Sequence, residues 1–271
     1  MTSLAIDTAT ESLGLCLEAH GKRRTYIAEA GLRHSETLLP GIRRLLDEAG
    51  IAARDLELVV CCRGPGSFTG IRIGLATAKG LCFGSRIPLI GIANLDAMAF
   101  RFRSFGGLVV PVLAALRRQY YAAAYRLGER ISEYLAMPLD QLVEYVRHQH
   151  NVLLTGPAAA AVYEGLNAEA PAAGGTAPSR PNADFGSVAS APAVASSPSA
   201  PSRPHAVSGS VASAPSRSVA SAPVLDLGCG STDPISLLEL GQRELARFGA
   251  PAEEPEPLYL RKSDAEISRG G

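Results

Sequence analysis

The segment that decides the fold is residues 56–74, with the sequence LELVVCCRGPGSFTGIRIG. Its first seven residues form a mostly apolar run, which is typical of a strand buried on both faces of a mixed sheet. A glycine-rich turn follows, in which Ser67 can cap a helix that we expect over residues 68–83. The segment therefore predicts a buried strand, a tight turn and a helix.

The residues on either side of this segment extend the pattern to a ribonuclease H-like unit. Short apolar or alternating runs predict three strands of an antiparallel meander upstream and a fourth strand downstream. These strands are expected at residues 3–7, 13–18, 23–28 and 88–92. Between the meander and the segment lies an amphipathic helix, with Ser35 as its N-cap and Gly50 as its C-terminal stop.

A looser copy of the same order follows in the second half of the chain. Strands are expected at residues 108–113, 120–126, 130–135 and 152–155, and helices at 139–147, from 158 and at 235–248. Two such units in tandem predict an α/β fold of the actin-like (ASKHA) type with mixed sheets. The expected domains are residues 1–100, residues 101–169 with 224–262, and a flexible tail at 263–271.

Residues 170–223 interrupt the second half with a low-complexity sequence. Prolines concentrate there, and the hexapeptide Ser-Val-Ala-Ser-Ala-Pro occurs three times. Repeats without large apolar side chains cannot bury enough surface to offset chain entropy, so the stretch predicts a disordered insert. A partner-binding segment is the alternative interpretation.

Composition excludes several classes of protein. The 26 basic residues balance 26 acidic ones, which leaves no net charge for gripping a polyanion. The N-terminus does not resemble a signal peptide, and no uncharged apolar run is long enough to span a membrane. Five cysteines without CxxC spacing indicate reduced thiols rather than disulfides or a zinc site. We expect a cytoplasmic protein.

The glycine-rich motif permits two interpretations. Backbone amides at a helix N-terminus can bind phosphate, but the spacing matches neither Walker A nor GxGxxG, and Pro65 removes one donor. Alternatively, Gly70, Gly74 and Ala78 leave one face of the helix bare, so that another helix can approach closely. Such packing can lie inside the domain or across an interface. We favour the interface.

No constellation of catalytic, nucleotide-binding or metal-binding residues is predicted. Asp7 follows the first strand, where actin-like ATPases place a metal-linked carboxylate, but no glycine-rich hairpin follows it, so it is interpreted as a turn cap. The five histidines are scattered, and His34 is assigned to helix entry. The basic clusters at 101–103 and 117–118 are expected to be solvated, with RNA contact as the alternative.

Four motifs together resemble the bacterial TsaB (YeaZ-type) family over almost the whole chain outside the insert. They are HSETLLP at residues 34–40, GPGSFTGIRIG at 64–74 with AKG at 78–80, LLTGP at 153–157 and PLYLR at 257–261. The resemblance implies an actin-like fold and a non-catalytic subunit. This subunit takes part in making threonylcarbamoyladenosine beside the anticodon of tRNAs that read ANN codons.

The resemblance also implies partners. A TsaD-type transferase, paralogous to this family, transfers the threonylcarbamoyl group from its adenylate, and a TsaE-type ATPase joins the complex. ATP and metal then belong to those subunits, tRNA is contacted mainly through the complex, and this chain binds no cofactor or membrane. Family members form homodimers, and heterodimers with TsaD, through their first two helices. The implied interface residues are His34, Leu38, Leu39, Phe68, Gly70, Ile71, Gly74, Leu75 and Ala78.

Two comparisons with the family bear on catalysis and on one loop. TsaD-type enzymes hold their metal with two histidines after the strand that corresponds to residues 88–92, and alignment of the glycines puts Asn94 and Met98 at those positions. Neither residue replaces histidine well as a ligand. In addition, Ala114, Ala115 and Leu116 stand where the family usually shows Asp-Ala-Arg, so the role of that pair is in question for this chain.

Two other functions stay open. One is a stand-alone metal- or ATP-dependent enzyme of the same fold, either a transferase or a glycoprotease-like protein. The other is a homodimeric interaction module unrelated to tRNA.

Overall fold

The computed structural model describes residues 1–29, 31, 33–168, 223–226 and 233–260. The predicted insert, except for Pro223, and the predicted tail at 263–271 lie outside these residues.

The first half of the chain builds a five-stranded mixed sheet. Its strands are β1 (Ser3–Asp7), β2 (Ser12–Ala19), β3 (Lys22–Glu29), β4 (Leu58–Cys62) and β5 (Leu89–Ile92). The order across the sheet is β3-β2-β1-β4-β5. The meander strands pair antiparallel, whereas β4 is parallel to both β1 and β5. This is the sheet of a ribonuclease H-like unit, as predicted.

Six α-helices are found in the described residues, and those beside the first sheet cover both of its faces. The helices are α1 (His34–Ala49), α2 (Phe68–Cys82), α3 (Asn94–Phe100), α4 (Leu139–Arg147), α5 (Ala159–Asn167) and α6 (Pro234–Phe248). Gly74 of α2 faces Cys61 of β4, whereas Gly241 of α6 faces Val60. Successive strand residues point to opposite faces, so α2 and α6 lie on opposite sides of the sheet.

The second half builds another mixed sheet. Its strands are β6 (Leu108–Ala114), β7 (Gln119–Ala122), β8 (Tyr125–Arg126), β9 (Glu129–Arg130), β10 (Leu135–Pro138), β11 (Val152–Thr155) and β12 (Val224–Leu225). The main order is β10-β7-β6-β11-β12, and β8 pairs with both β6 and β9. Strand β6 is antiparallel to β7 and parallel to β11, and β11 is parallel to β12.

Alternate residues of β6 bury two separate cores. Val110 and Val112 pack with residues of α4 and α5, including Leu142. Val109 and Leu113 pack on the other face with residues of α3. The second sheet therefore also has helices on both faces, and the two halves confirm the predicted tandem, actin-like α/β architecture.

The structure differs from the sequence prediction in four places. Helix α1 begins at His34, after Arg33, which makes no side-chain cap, so the expected N-cap role of Ser35 is wrong because Ser35 lies inside the first turn. Helix α3 was not predicted. The strands expected at 120–126 and 130–135 are shorter segments, because the chain leaves the sheet at residues 123–124 and 131–134. Residues 224–262, expected in the second half, give β12 to the second sheet but α6 to the first core.

Candidate functional site

The glycine-rich turn between β4 and α2 directs its polar groups at its own chain. The backbone N–H of Ser67 donates to the carbonyl of Ala9 at 2.7 Å, and the N–H of Asn94 donates to the carbonyl of Gly64 at 2.8 Å. The Ser67 hydroxyl accepts from the N–H of Gly70 at 3.2 Å, which confirms the predicted cap. Gly64 needs its glycine because its φ is 100°. These bonds favour a structural role for the turn over phosphate binding.

The bare stripe of α2 packs against the chain's own sheet. A Cβ at Gly70 would clash with the backbone carbonyl oxygen of Thr8, and one at Gly74 would clash with the Thr8 hydroxyl. Thr8 in turn donates its hydroxyl to the carbonyl of Gly70 at 2.7 Å. Ala78 is fully buried in the first core. The expectation that this stripe faces another chain is therefore corrected, because the close approach takes place inside the domain.

The other predicted interface residues divide into two groups. His34, Leu38, Ile71 and Leu75 are buried within the chain. Leu39 on α1 and Phe68 on α2 are exposed, at 56% and 40% respectively. Within the predicted set, only these two side chains offer a large apolar surface to solvent.

Leu39 lines an apolar groove that α1, residues 51–53 and Leu81 of α2 form. We call this surface the α1–α2 face, and define it by Leu39, Phe68 and the groove. The groove encloses about 370 Å³. It is lined by Leu39, Ile42, Arg43, Leu46, Asp47, Ile51, Ala52, Ala53 and Leu81. An apolar groove with a largely exposed leucine in its lining is typical of a protein interaction site.

Two residues at this face were not among the predicted interface residues. The guanidinium of Arg72 lies 3.7 Å from the centre of the Phe68 ring. Its Nε donates to the hydroxyl of Tyr259 at 2.9 Å. Both residues belong to the motifs that resemble the TsaB family, but their contact spans 187 positions of sequence, and no local pattern indicates it.

Asp7 acts as the predicted turn cap. Its Oδ1 accepts from the N–H of Ala9 at 2.9 Å, two residues further on, and the side chain is buried. No cluster of three or more His, Cys, Asp or Glu side chains suited to a metal ion occurs within the described part of the chain.

Helix α3 carries the two residues that align with the metal ligands of TsaD-type enzymes. Asn94 and Met98 are both fully buried. Between them, Asp96 accepts hydrogen bonds from the hydroxyls of Tyr125 at 2.6 Å and Tyr134 at 2.8 Å. Burial, reinforced by the Asp96 carboxylate, raises the pKa of both tyrosines, so they stay protonated and donate. This cluster ties α3 to the second sheet.

The two basic clusters differ in their surroundings. Arg103 forms an ion pair with Glu239 of α6 at 3.3 Å, which gives it a structural partner. Arg117 and Arg118 lie exposed at the β6–β7 connection, with φ values of 60° and 58°. There the backbone N–H of Ala115 donates to the carbonyl of Gln119 at 2.8 Å, and Leu116 is 71% exposed. RNA contact by these arginines stays a prediction.

Comparison with known proteins identifies the family. A family model described as "TsaD: tRNA N6-adenosine threonylcarbamoyltransferase" matches residues 28–269. The chain belongs to this family. It is 37% identical to the tRNA threonylcarbamoyladenosine biosynthesis protein TsaB of Bacillus subtilis over 134 residues, which are 49% of this chain and 58% of that protein. It is 35% identical to TsaB of Escherichia coli over 131 residues, 48% of this chain and 57% of that protein.

These relatives confirm the resemblance to the TsaB (YeaZ-type) group. The matched region spans little more than half the length of each relative. YeaZ from Pseudomonas aeruginosa superposes with a TM-score of 0.64 and 24% identity, covering 96% of this chain and 99% of that one. This likeness supports the fold. No helix in the part of the chain that the structure describes is long and apolar enough to cross a membrane.

Proposed function

We propose that this chain is a non-catalytic assembly subunit in the biosynthesis of threonylcarbamoyladenosine in tRNA. It docks through the α1–α2 face onto a TsaD-type transferase, and it leaves the threonylcarbamoyl transfer beside the anticodon of ANN-reading tRNAs to that partner. The observation that carries the proposal is the exposure of Leu39, which lines an apolar groove, and of Phe68, on the two helices through which TsaB-type chains dimerise.

Further features support this division of labour. Asn94 and Met98 replace the metal-binding histidines of the transferase, and an amide and a thioether are poor ligands for a catalytic divalent metal. In the proposed complex, ATP and metal are bound by the TsaD-type and TsaE-type partners. The same face mediates a homodimer when the chain is alone, and tRNA is contacted mainly through the assembled complex in the cytoplasm.

We expect Leu39→Glu to weaken binding of the TsaD-type partner by at least about 30-fold, because a carboxylate would have to be buried in an apolar interface. Binding can be measured by calorimetry, and modified adenosine by mass spectrometry of tRNA incubated with all purified subunits. The matched control is Leu127→Glu, since Leu127 is similarly exposed, at 61%, but lies in the second half. Equal binding by both variants and the unchanged protein would contradict docking through this face.

The alternatives give different outcomes in the same reconstitution. Full modification without this chain would remove the assembly role. Metal-stimulated turnover by the isolated chain would favour the stand-alone enzyme. Unchanged threonylcarbamoyladenosine in cellular tRNA after depletion of the chain would favour an interaction module unrelated to tRNA.

A further inference from the structure

Arg72 is held in a fixed orientation at the edge of the α1–α2 face. Its guanidinium carbon lies 3.7 Å from the centre of the Phe68 ring and 5.8 Å from that of the Tyr259 ring. The two rings are 5.2 Å apart and inclined by 31°. With its Nε bonded to the Tyr259 hydroxyl, the side chain has little freedom to rotate. The entropy cost of ordering this long arginine side chain therefore arises during folding, and binding of a partner does not add it.

The segment after α6 delivers Tyr259 to this position. The N–H of Leu258 donates to the carbonyl of Arg63 at 2.7 Å, which fixes the segment to the end of β4. Earlier in the segment, Glu254 forms an ion pair with Lys79 near the C-terminus of α2, at 3.0 Å. The segment is therefore attached close to both ends of α2, and Tyr259 is a fixed part of the face.

In the part of the chain that the structure describes, no carboxylate lies within ion-pair distance of Arg72. Helix α2 contains no acidic residue. Arg43 and Arg44 on α1 pair with carboxylates one turn further on, and Lys79 pairs with Glu254. Within the described residues no carboxylate pairs with Arg72, and its two Nη groups make no hydrogen bond. A guanidinium with its Nε occupied and both Nη groups available can bind one carboxylate through two parallel hydrogen bonds.

We propose that Arg72, oriented by Phe68 and Tyr259, is the receptor for an aspartate or glutamate side chain on the TsaD-type partner. The inference rests on the proposed function, since it assigns a specific contact to the same face. The two rings are partly exposed, at 40% and 42%, and they would exclude water around the ion pair once the partner covers them. Stacked arginines and aromatic side chains that become fully desolvated dominate the binding energy of many interfaces.

The test compares the affinity of the full chain for the purified TsaD-type partner across three variants. Arg72→Lys keeps the charge but loses the paired donors, and we expect it to weaken binding at least tenfold. Tyr259→Phe keeps the ring but releases Nε, and we expect a smaller loss of about threefold to fivefold. The matched control is Arg44→Lys, because Arg44 also lies over an aromatic ring, that of Tyr26, but already pairs with Glu48. Arg44→Lys should bind the TsaD-type partner with the affinity of the unchanged protein.

Salt dependence provides a measurement that a general packing defect would not change. Affinity of the unchanged protein should fall as ionic strength rises, and Arg72→Ala should show a shallower decrease because the ion pair is already lost. Thermal unfolding of each variant checks that the fold is kept. An unaltered salt dependence in Arg72→Ala would overturn the proposal.

The outcomes separate this inference from the docking model. If Leu39→Glu disrupts binding but Arg72→Lys does not, Arg72 is not the receptor for a carboxylate of the partner, whereas docking through the α1–α2 face is supported. If neither variant disrupts binding, docking through this face fails as well. If Arg72→Lys weakens self-association alone, the receptor serves a second copy of the chain, whose Glu36 is exposed on α1, and the proposed heterologous contact is overturned.

Discussion

Gly70→Ala is expected to destabilise the protein by about 1–3 kcal/mol or more, even though alanine is the better helix former. The added methyl group would collide with the backbone carbonyl oxygen of Thr8, which the β1–β2 connection holds in place. The hydrogen bond from the Thr8 hydroxyl to the carbonyl of Gly70 would be disturbed by the same displacement. Urea unfolding monitored by circular dichroism measures the change.

The same helix supplies the control. Apart from its chain neighbours and the backbone of α2 itself, no heavy atom of the described residues lies within 4 Å of a Cβ built at Gly80, which is exposed on α2. Gly80→Ala should therefore stabilise the protein by up to about 1 kcal/mol, since the helix gains propensity without a clash. A similar change in the free energy of unfolding for both variants would contradict the packing of α2 on Thr8. Since Gly74 also packs on Thr8 inside the domain, a large side chain introduced at Gly74 would damage the fold, so loss of partner binding in such a variant would not identify an interface.

Stability is expected to fall steeply above pH 9, because three thiols are fully buried in the first core. Burial raises the pKa of Cys16 from 9.0 to about 12, and it also raises the pKa of Cys61 and of Cys62. These thiols stay neutral in the folded chain but ionise in the unfolded one, so their contribution is complete below pH 9 and is lost as pH rises. Well above pH 9, each thiol contributes up to about 1.4 kcal/mol per pH unit, so the three together contribute up to about 4 kcal/mol per pH unit.

Urea titrations at pH 7, 8, 9 and 10, with a phosphine reductant to prevent disulfide formation, measure this slope. Cys16→Ala should reduce the slope between pH 9 and 10 by at most about a quarter, because it removes one of four thiols whose pKa is raised, the fourth being Cys82. A free energy of unfolding that is constant from pH 8 to pH 10 would contradict the burial of these thiols.

The sequence predicted the strands of the first sheet and the bounds of α1 and α2 nearly to the residue, because their signals are local. The alternation in β2 and β3, the amphipathic pattern of α1 and the glycine after it each depend on a few adjacent residues. Helix α3 lacks such a signal. Most of its seven residues are buried, so it has no polar face to reveal its period.

The candidate site was predictable only in part. The spacing of small residues along a helix indicates that another part of the structure packs closely on it, but it does not identify that part. The stripe of Gly70, Gly74 and Ala78 correctly indicated close packing, and the neighbour proved to be Thr8 and Cys61 of the same chain. The exposed pair Leu39 and Phe68 was in the predicted set because of family resemblance, not because of its pattern. The contact of Arg72 with Tyr259 joins distant parts of the sequence, and no pattern of neighbouring residues predicts it.

The placement of α6 has a consequence for the order of synthesis. Leu237 and Leu238 of this helix complete the first core, although the strands they cover end at residue 92. While a ribosome is still translating residues 170–223, one face of the first sheet therefore lacks its cover, and the nascent chain presents apolar surface that a chaperone could bind. The long separation also favours slow folding, because the contacts that complete the first core join residues 237 and 238 to strands that end at residue 92.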